Sequence, residues 1–122
     1  MASTVHNIVF DSADPYVLAQ FWSQVTGQPL AADDFPGDPE ASITQRGGPT
    51  LFFCAVPEPK SVKNRVHVCL RPEGSPDAEV DRLLGLGASL VGDRRTQDGG
   101  GWVVLADPEA NEFCVLSRKA SD

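Results

Sequence analysis

Cysteine is scarce in this chain: there are three in 122 residues, Cys54, Cys69 and Cys114, and no CxxC pair. An odd number at such spacings excludes a disulfide framework and a structural zinc finger, and the thiols read as reduced. Long hydrophobic runs are absent as well. None approaches the roughly 18–20 residues a membrane span requires. Basic residues are outnumbered seventeen to ten, and the resulting charge of −7 argues against general nucleic-acid binding. Neither GxSxG nor GxxxxGK[ST] occurs, so a serine-hydrolase elbow and a phosphate-cradling loop have no support. The opening stretch has no basic segment leading into an apolar one. With the reduced thiols, this gives the expectation of a cytoplasmic protein.

What is present is an ordinary globular composition, 41% apolar and 22% charged. The length suits one domain, or two very small halves. The halves are visible as an internal repeat. The two histidines, His6 and His67, lie sixty-one residues apart, each after a valine and each opening an apolar segment. The pairs Asp14-Pro15 and Ser75-Pro76 have the same spacing. Each pair combines a side-chain N-cap with proline at the first helical position. Apolar residues at helical spacing follow, Leu18, Phe21, Trp22 and Val25 in the first half and Val80, Leu83 and Leu84 in the second. Gly27 and Gly87 supply the stops. The segments Leu51–Val56 and Asn111–Leu116 match at a spacing of sixty, Phe53 over Phe113 and Cys54 over Cys114. Weaker strands are expected over Ala41–Gln45, Ser89–Val91 and Trp102–Leu105.

The predicted fold class is therefore α+β, two tandem βαβββ modules in a single domain spanning 1–122. Module one covers about 4–56, the linker 57–65 and module two about 66–118. Ala31–Glu40, with four acids, two prolines and no base, is expected to be a mobile surface loop.

Strand alternation puts His6, Ile8 and Phe10 on one face, and His67, Cys69 and Arg71 on another. If the modules pair about a pseudo-twofold axis, the two histidines occupy equivalent places and Glu112, on the closing strand, joins them. Two imidazoles and a carboxylate suffice for a divalent metal with vacant positions for substrate oxygens. Phe52 stands where a fourth ligand would be. Taken singly, each residue has a plainer role: a hydrogen-bonded core histidine, or a strand-end salt bridge for Glu112. Lys60, Lys63, Arg65 and Arg71 fall within twelve residues that contain no acid. Lys60 and Lys63 read as a solvated linker, while Arg71, on the His67 face, is a candidate for attracting an anionic ligand. Phe52, Cys69, Arg71, Trp102 and Cys114 are the candidate pocket residues. Nothing identifies a general base, and no thiol has an evident activating partner.

These residues resemble the glyoxalase/bleomycin-resistance/dioxygenase group, the vicinal oxygen chelate superfamily, and more narrowly its small glyoxalase-like branch. The likeness rests on His6 through Asp11, Asp14-Pro15 into Phe21-Trp22, the run Pro59-Lys60-Ser61-Val62-Lys63-Asn64-Arg65-Val66-His67, and Asp107-Pro108-Glu109-Ala110-Asn111-Glu112-Phe113-Cys114. The resemblance implies duplicated strand–helix–three-strand modules. It implies metal ligands on the first strand of each module and on a closing strand, here His6, His67 and Glu112. Fosfomycin-resistance enzymes likewise use two histidines and a glutamate. Glyoxalase I uses a further ligand where this chain has Phe52, which sets that activity aside. Ala110 replaces a usual glycine, and Cys69 a frequent acid. Two functions follow as expectations. One is an enzyme of lyase, isomerase, transferase or dioxygenase type, dependent on a divalent ion (Mn, Fe, Co, Ni or Zn) and acting on a small oxygen-chelating substrate. The other is a metal-free protein of the bleomycin-resistance type that sequesters a small molecule or antibiotic. Open sheet edges in so small a chain point to a homodimer.

Overall fold

A computed structural model describes residues 1–117; Arg118, the last position of the expected second module, lies outside the described residues. The chain forms two compact units, Met1–Pro59 and Lys60 onward. The architecture is α+β, with one helix and one small sheet in each unit.

The first unit comprises β1 (Asn7–Ser12), α1 (Pro15–Thr26), β2 (Glu40–Ile43) and β3 (Thr50–Ala55), with strand order β1-β3-β2. The caps of α1 are those the sequence predicts. Asp14 Oδ1 accepts the Val17 N–H at 3.3 Å, and Gly27, at φ 73°, closes the helix in the left-handed conformation. Leu18, Phe21, Trp22 and Val25 are all buried. Against them packs Phe10, its ring 5.5 Å from Trp22 and 4.9 Å from its strand neighbour Phe53. This unit has three strands rather than the four expected. At the missing position there is a single antiparallel bridge, Leu30 to Ile43. The acidic segment 31–40 is a run of turns, fastened where Asp34 Oδ2 accepts the Ser42 N–H at 3.0 Å.

The second unit comprises β4 (Val68–Leu70), α2 (Pro76–Leu86), β5 (Ser89–Asp93), β6 (Trp102–Ala106) and β7 (Glu112–Leu116), with strand order β4-β7-β6-β5. Ser75 Oγ accepts the Ala78 N–H at 3.3 Å and begins α2. The core is Leu83 of α2 with Val103, Leu105, Phe113 and Val115. Leu84, expected among the core residues of the helix, is exposed. The β5–β6 hairpin needs glycine at 101, where φ is +84° and a Cβ would collide with the Arg94 carbonyl oxygen.

Register within the sheets changes the meaning of the repeat. Phe53 pairs with Phe10 across β1 and β3, whereas its counterpart Phe113 pairs with Val68 across β4 and β7. The first strands of the units are thus equivalent at a spacing of fifty-eight, while the helices keep sixty-one. The difference is three residues of extra chain between β4 and α2: five residues connect them, against two between β1 and α1. In register His67 therefore corresponds to Val9, not to His6, and Cys69 corresponds to Asp11.

Candidate functional site

Pleating sorts the side chains of each sheet between the face toward its helix and the face away from it. In the second sheet Phe113, Val115, Val103 and Leu105 face α2. Glu112, Cys114 and Leu116 of β7 therefore take the far face, with Trp102, Val104 and Ala106 opposite them on β6 and Cys69 beside Cys114 on β4. The predicted pocket residues Cys69, Trp102 and Cys114 thus share one face with Glu112. Arg71 lies just beyond β4 and is exposed. In the first sheet Phe52, with Val9, takes the face away from α1.

His6 lies one residue before β1, and its carbonyl accepts the Thr50 N–H at 3.1 Å. The alternation that groups it with Phe10 groups it with the residues packed on α1, because Phe10 stacks into that core. The positions matching His67 and Glu112 in the first unit are Val9 and Phe52, neither of which can hold a metal.

Glu112 is delivered by a tightly bonded turn. Asp107, 3% exposed, accepts at Oδ1 from the Glu109 and Asn111 N–H groups, both at 2.9 Å, and at Oδ2 from Asn111 Nδ2 at 3.0 Å. Ala110 completes the turn at φ 71°, a conformation unfavourable for a residue with a Cβ. The Asp-Pro-Glu-x-Asn-Glu-Phe stretch is thus the device that aims Glu112.

The carboxylate it presents is already engaged. Glu112 Oε1 accepts the Asn64 N–H at 2.9 Å, and Oε2 pairs with Lys60 Nζ at 3.2 Å. The Asn64 N–H, and after it Lys60, hold the carboxyl below the usual carboxylate range against a partial desolvation. Four residues on, Lys63 Nζ lies 2.8 Å from His67 Nε2, which is also 3.1 Å from the Asn64 carbonyl oxygen. Residues 60–67 therefore form a strap tied to Glu112 and folded back on His67. Lys60 and Lys63 serve as its ties, a correction to their reading as solvated linker. The sequence signal was their spacing ahead of His67, but nothing local shows that a backbone N–H at 64 will seek a carboxylate at 112.

A divalent ion needs at least three donors for a durable open site. In the second unit the imidazole of His67 and the carboxylate of Glu112 stand at this strap, and both are hydrogen-bonded within the chain. Among the described residues, no three His, Cys, Asp or Glu side chains are grouped as a metal would require. Within the second unit the pair His67 and Glu112 is therefore one donor short of such a centre.

Comparison with known proteins supplies the family. A model of the glyoxalase-like domain matches residues 7–116, nearly the whole chain. The chain belongs to the glyoxalase-like domain family. Solved structures show the same fold. A glyoxalase/bleomycin resistance protein/dioxygenase family enzyme from Burkholderia phytofirmans PsJN superimposes with a TM-score of 0.75 at 19% identity, covering 93% of this chain and 98% of that one. A glyoxalase-related enzyme from Fulvimarina pelagi gives 0.72 at 16% identity, covering 94% and 88%. A variant of the fosfomycin resistance protein FosX from Listeria monocytogenes, complexed with Mn(II) and a dihydroxypropylphosphonic acid, gives 0.72 at 14% identity, covering 95% and 92%. At these identities the likeness is one of fold. Among curated proteins, no relative matches the chain in sequence.

Proposed function

We propose that this glyoxalase-like protein binds a small anionic, oxygen-rich molecule on the far face of its second sheet, without a resident metal ion. The observation that carries this reading is the engagement of Glu112 and His67 by the 60–67 strap, which leaves them as parts of a hydrogen-bonded platform. Along the same sheet face lie apolar Val104 and, toward the far end of β7, the partly exposed Trp102. Arg71 and Arg65, exposed and without an ion-pair partner among the described residues, supply charge for an anion. Family resemblance and superposition with ligand-binding relatives support small-molecule binding as the class of activity.

A second reading, favoured by the Mn(II) in the FosX structure, is a divalent-metal-dependent enzyme using His6, His67 and Glu112. It requires the Lys60–Glu112 pair to open, an inexpensive step for a pair near solvent, worth about 0–1 kcal/mol. One experiment separates the two. Metal content is measured after exposure to Mn, Fe, Co, Ni and Zn, and ligand binding by thermal shift across diols, α-keto acids and phosphonates is then compared with and without chelator. Binding that is indifferent to chelator, with less than a tenth of an equivalent of metal, supports the metal-free reading. One metal per chain, lost in Glu112→Ala together with ligand binding, overturns it in favour of the enzyme.

A further inference from the structure

The two thiols of the second unit are neighbours. Cys69 and Cys114 are direct partners in the parallel β4–β7 ladder, which sets their side chains side by side on the face away from α2. Burial first, and then its neighbour Cys69, raise the Cys114 thiol, while the Lys63 ammonium is close enough to lower it. Cys69 is exposed, whereas Cys114 beneath it is 7% exposed. Two adjacent thiols on neighbouring strands have two uses, a disulfide or a bridging soft ion. Strand spacing argues against the first. Partners about 4.8 Å apart across a ladder carry their Cβ atoms beyond the roughly 3.8 Å that a relaxed disulfide wants. An ion between the sulfurs lengthens the link and removes that conflict.

We propose that Cys69 and Cys114 form a two-thiolate site for a soft monovalent metal ion, copper(I) by its chemistry. Soft thiolate ligands favour copper(I) and zinc among the common biological metals, and copper(I) is the one suited to few ligands. Among the described residues, no third His, Cys, Asp or Glu side chain is grouped with the pair, so zinc, which takes four ligands, is poorly served. On binding, each S–H bond gives its electron pair to a sulfur–copper bond and two protons pass to solvent. Copper stays in the +1 state and no electron is transferred. Coordination overcomes the burial that pushes the Cys114 thiol up to about 11. The resulting bis-thiolate complex carries one negative charge, and Lys63 is placed to balance it. The corresponding pair in the first unit is Asp11 and Cys54, one thiol short of a site.

The test is an anaerobic titration of the full chain with copper(I) against a chromophoric chelator, following the near-ultraviolet thiolate-to-copper band. One equivalent per chain is expected, resistant to a tenfold excess of zinc(II). Cys69→Ser, at an exposed position that leaves the core intact, is expected to lose the band and at least a hundredfold in affinity, while Cys54→Ser keeps both. Failure of the wild-type chain to take up copper overturns the proposal. So does retention by Cys69→Ser, loss by Cys54→Ser, or displacement by zinc.

Discussion

Glu112 shows how one carboxylate ties distant chain together. Its ionised form is favoured by the Asn64 N–H and by Lys60, so its folded-state value lies below that of the unfolded chain. A depressed carboxyl contributes stability that is complete above the unfolded value, about 4.3, and is lost as pH falls through the folded one. The strap should therefore loosen in acid while the cores persist. Hydrogen exchange at the Asn64 amide, corrected for its intrinsic rate, is expected to lose protection as pH falls below about 4.3. Glu112→Gln, which keeps an acceptor but loses the charge, should remove that pH dependence at a cost of about 0.5–1 kcal/mol. At the preceding turn, Ala110→Gly relieves a left-handed φ of 71° and is expected to stabilise by about 0.5–1 kcal/mol in urea unfolding. Asp107→Ala strands several N–H donors and should cost about 2–3 kcal/mol. Ala110 was visible in the sequence as a departure from a usual glycine. The strap was not, because its bonds span forty-eight and fifty-two residues of chain.

At the level of elements, most of the architecture was legible. Both helix starts and stops followed from Asp14-Pro15, Ser75-Pro76, Gly27 and Gly87, since capping chemistry is local. What spacing could not give was strand register. His6 and His67 lie sixty-one apart, as the helix starts do, yet the three-residue difference in the strand-to-helix connections puts their strands out of step. A count along the chain cannot see an insertion placed between two matched elements. The helices also differ in how firmly they are held. Six residues of α1 are buried, against Leu83 alone in α2. Tertiary burial rather than propensity holds most helices in place, so α2 is expected to open at lower free energy than α1. Native-state hydrogen exchange should show α2 amides exchanging at least tenfold faster. Leu83→Ala, costing about 2–5 kcal/mol, should bring α2 close to melting while leaving α1 protection in place.

For the whole molecule, two halves with one fold plan have diverged in charge. The first unit, Met1–Pro59, holds seven acids and one base, Arg46, whereas the remainder holds ten acids and nine bases. The net charge of −7 therefore describes neither half. A net charge of that sign favours cationic ligands in general, yet the basic residues near the candidate face all belong to the second unit. Lys60 and Lys63 are occupied by Glu112 and His67, which leaves Arg65 and Arg71 as the charges able to meet an anion. A unit charge in water at contact distance is worth about 1 kcal/mol, or roughly fivefold in affinity, and more where solvent is partly excluded. Arg71→Glu replaces attraction by repulsion and should weaken binding of a small phosphonate or α-keto acid by about ten- to thirtyfold at low salt. Arg46→Glu, in the first unit, should change it by less than twofold. Trp102, 43% exposed on the same face, provides the readout, because Trp22 is fully buried and reports little of the ligand. Raising salt toward 1 M, where screening acts over about 3 Å, should erase most of the Arg71 effect. An equal loss in both variants would mean that net charge, rather than the placement of Arg71, governs capture. Charge placement in that case would have no part in the divergence of the second unit from the first.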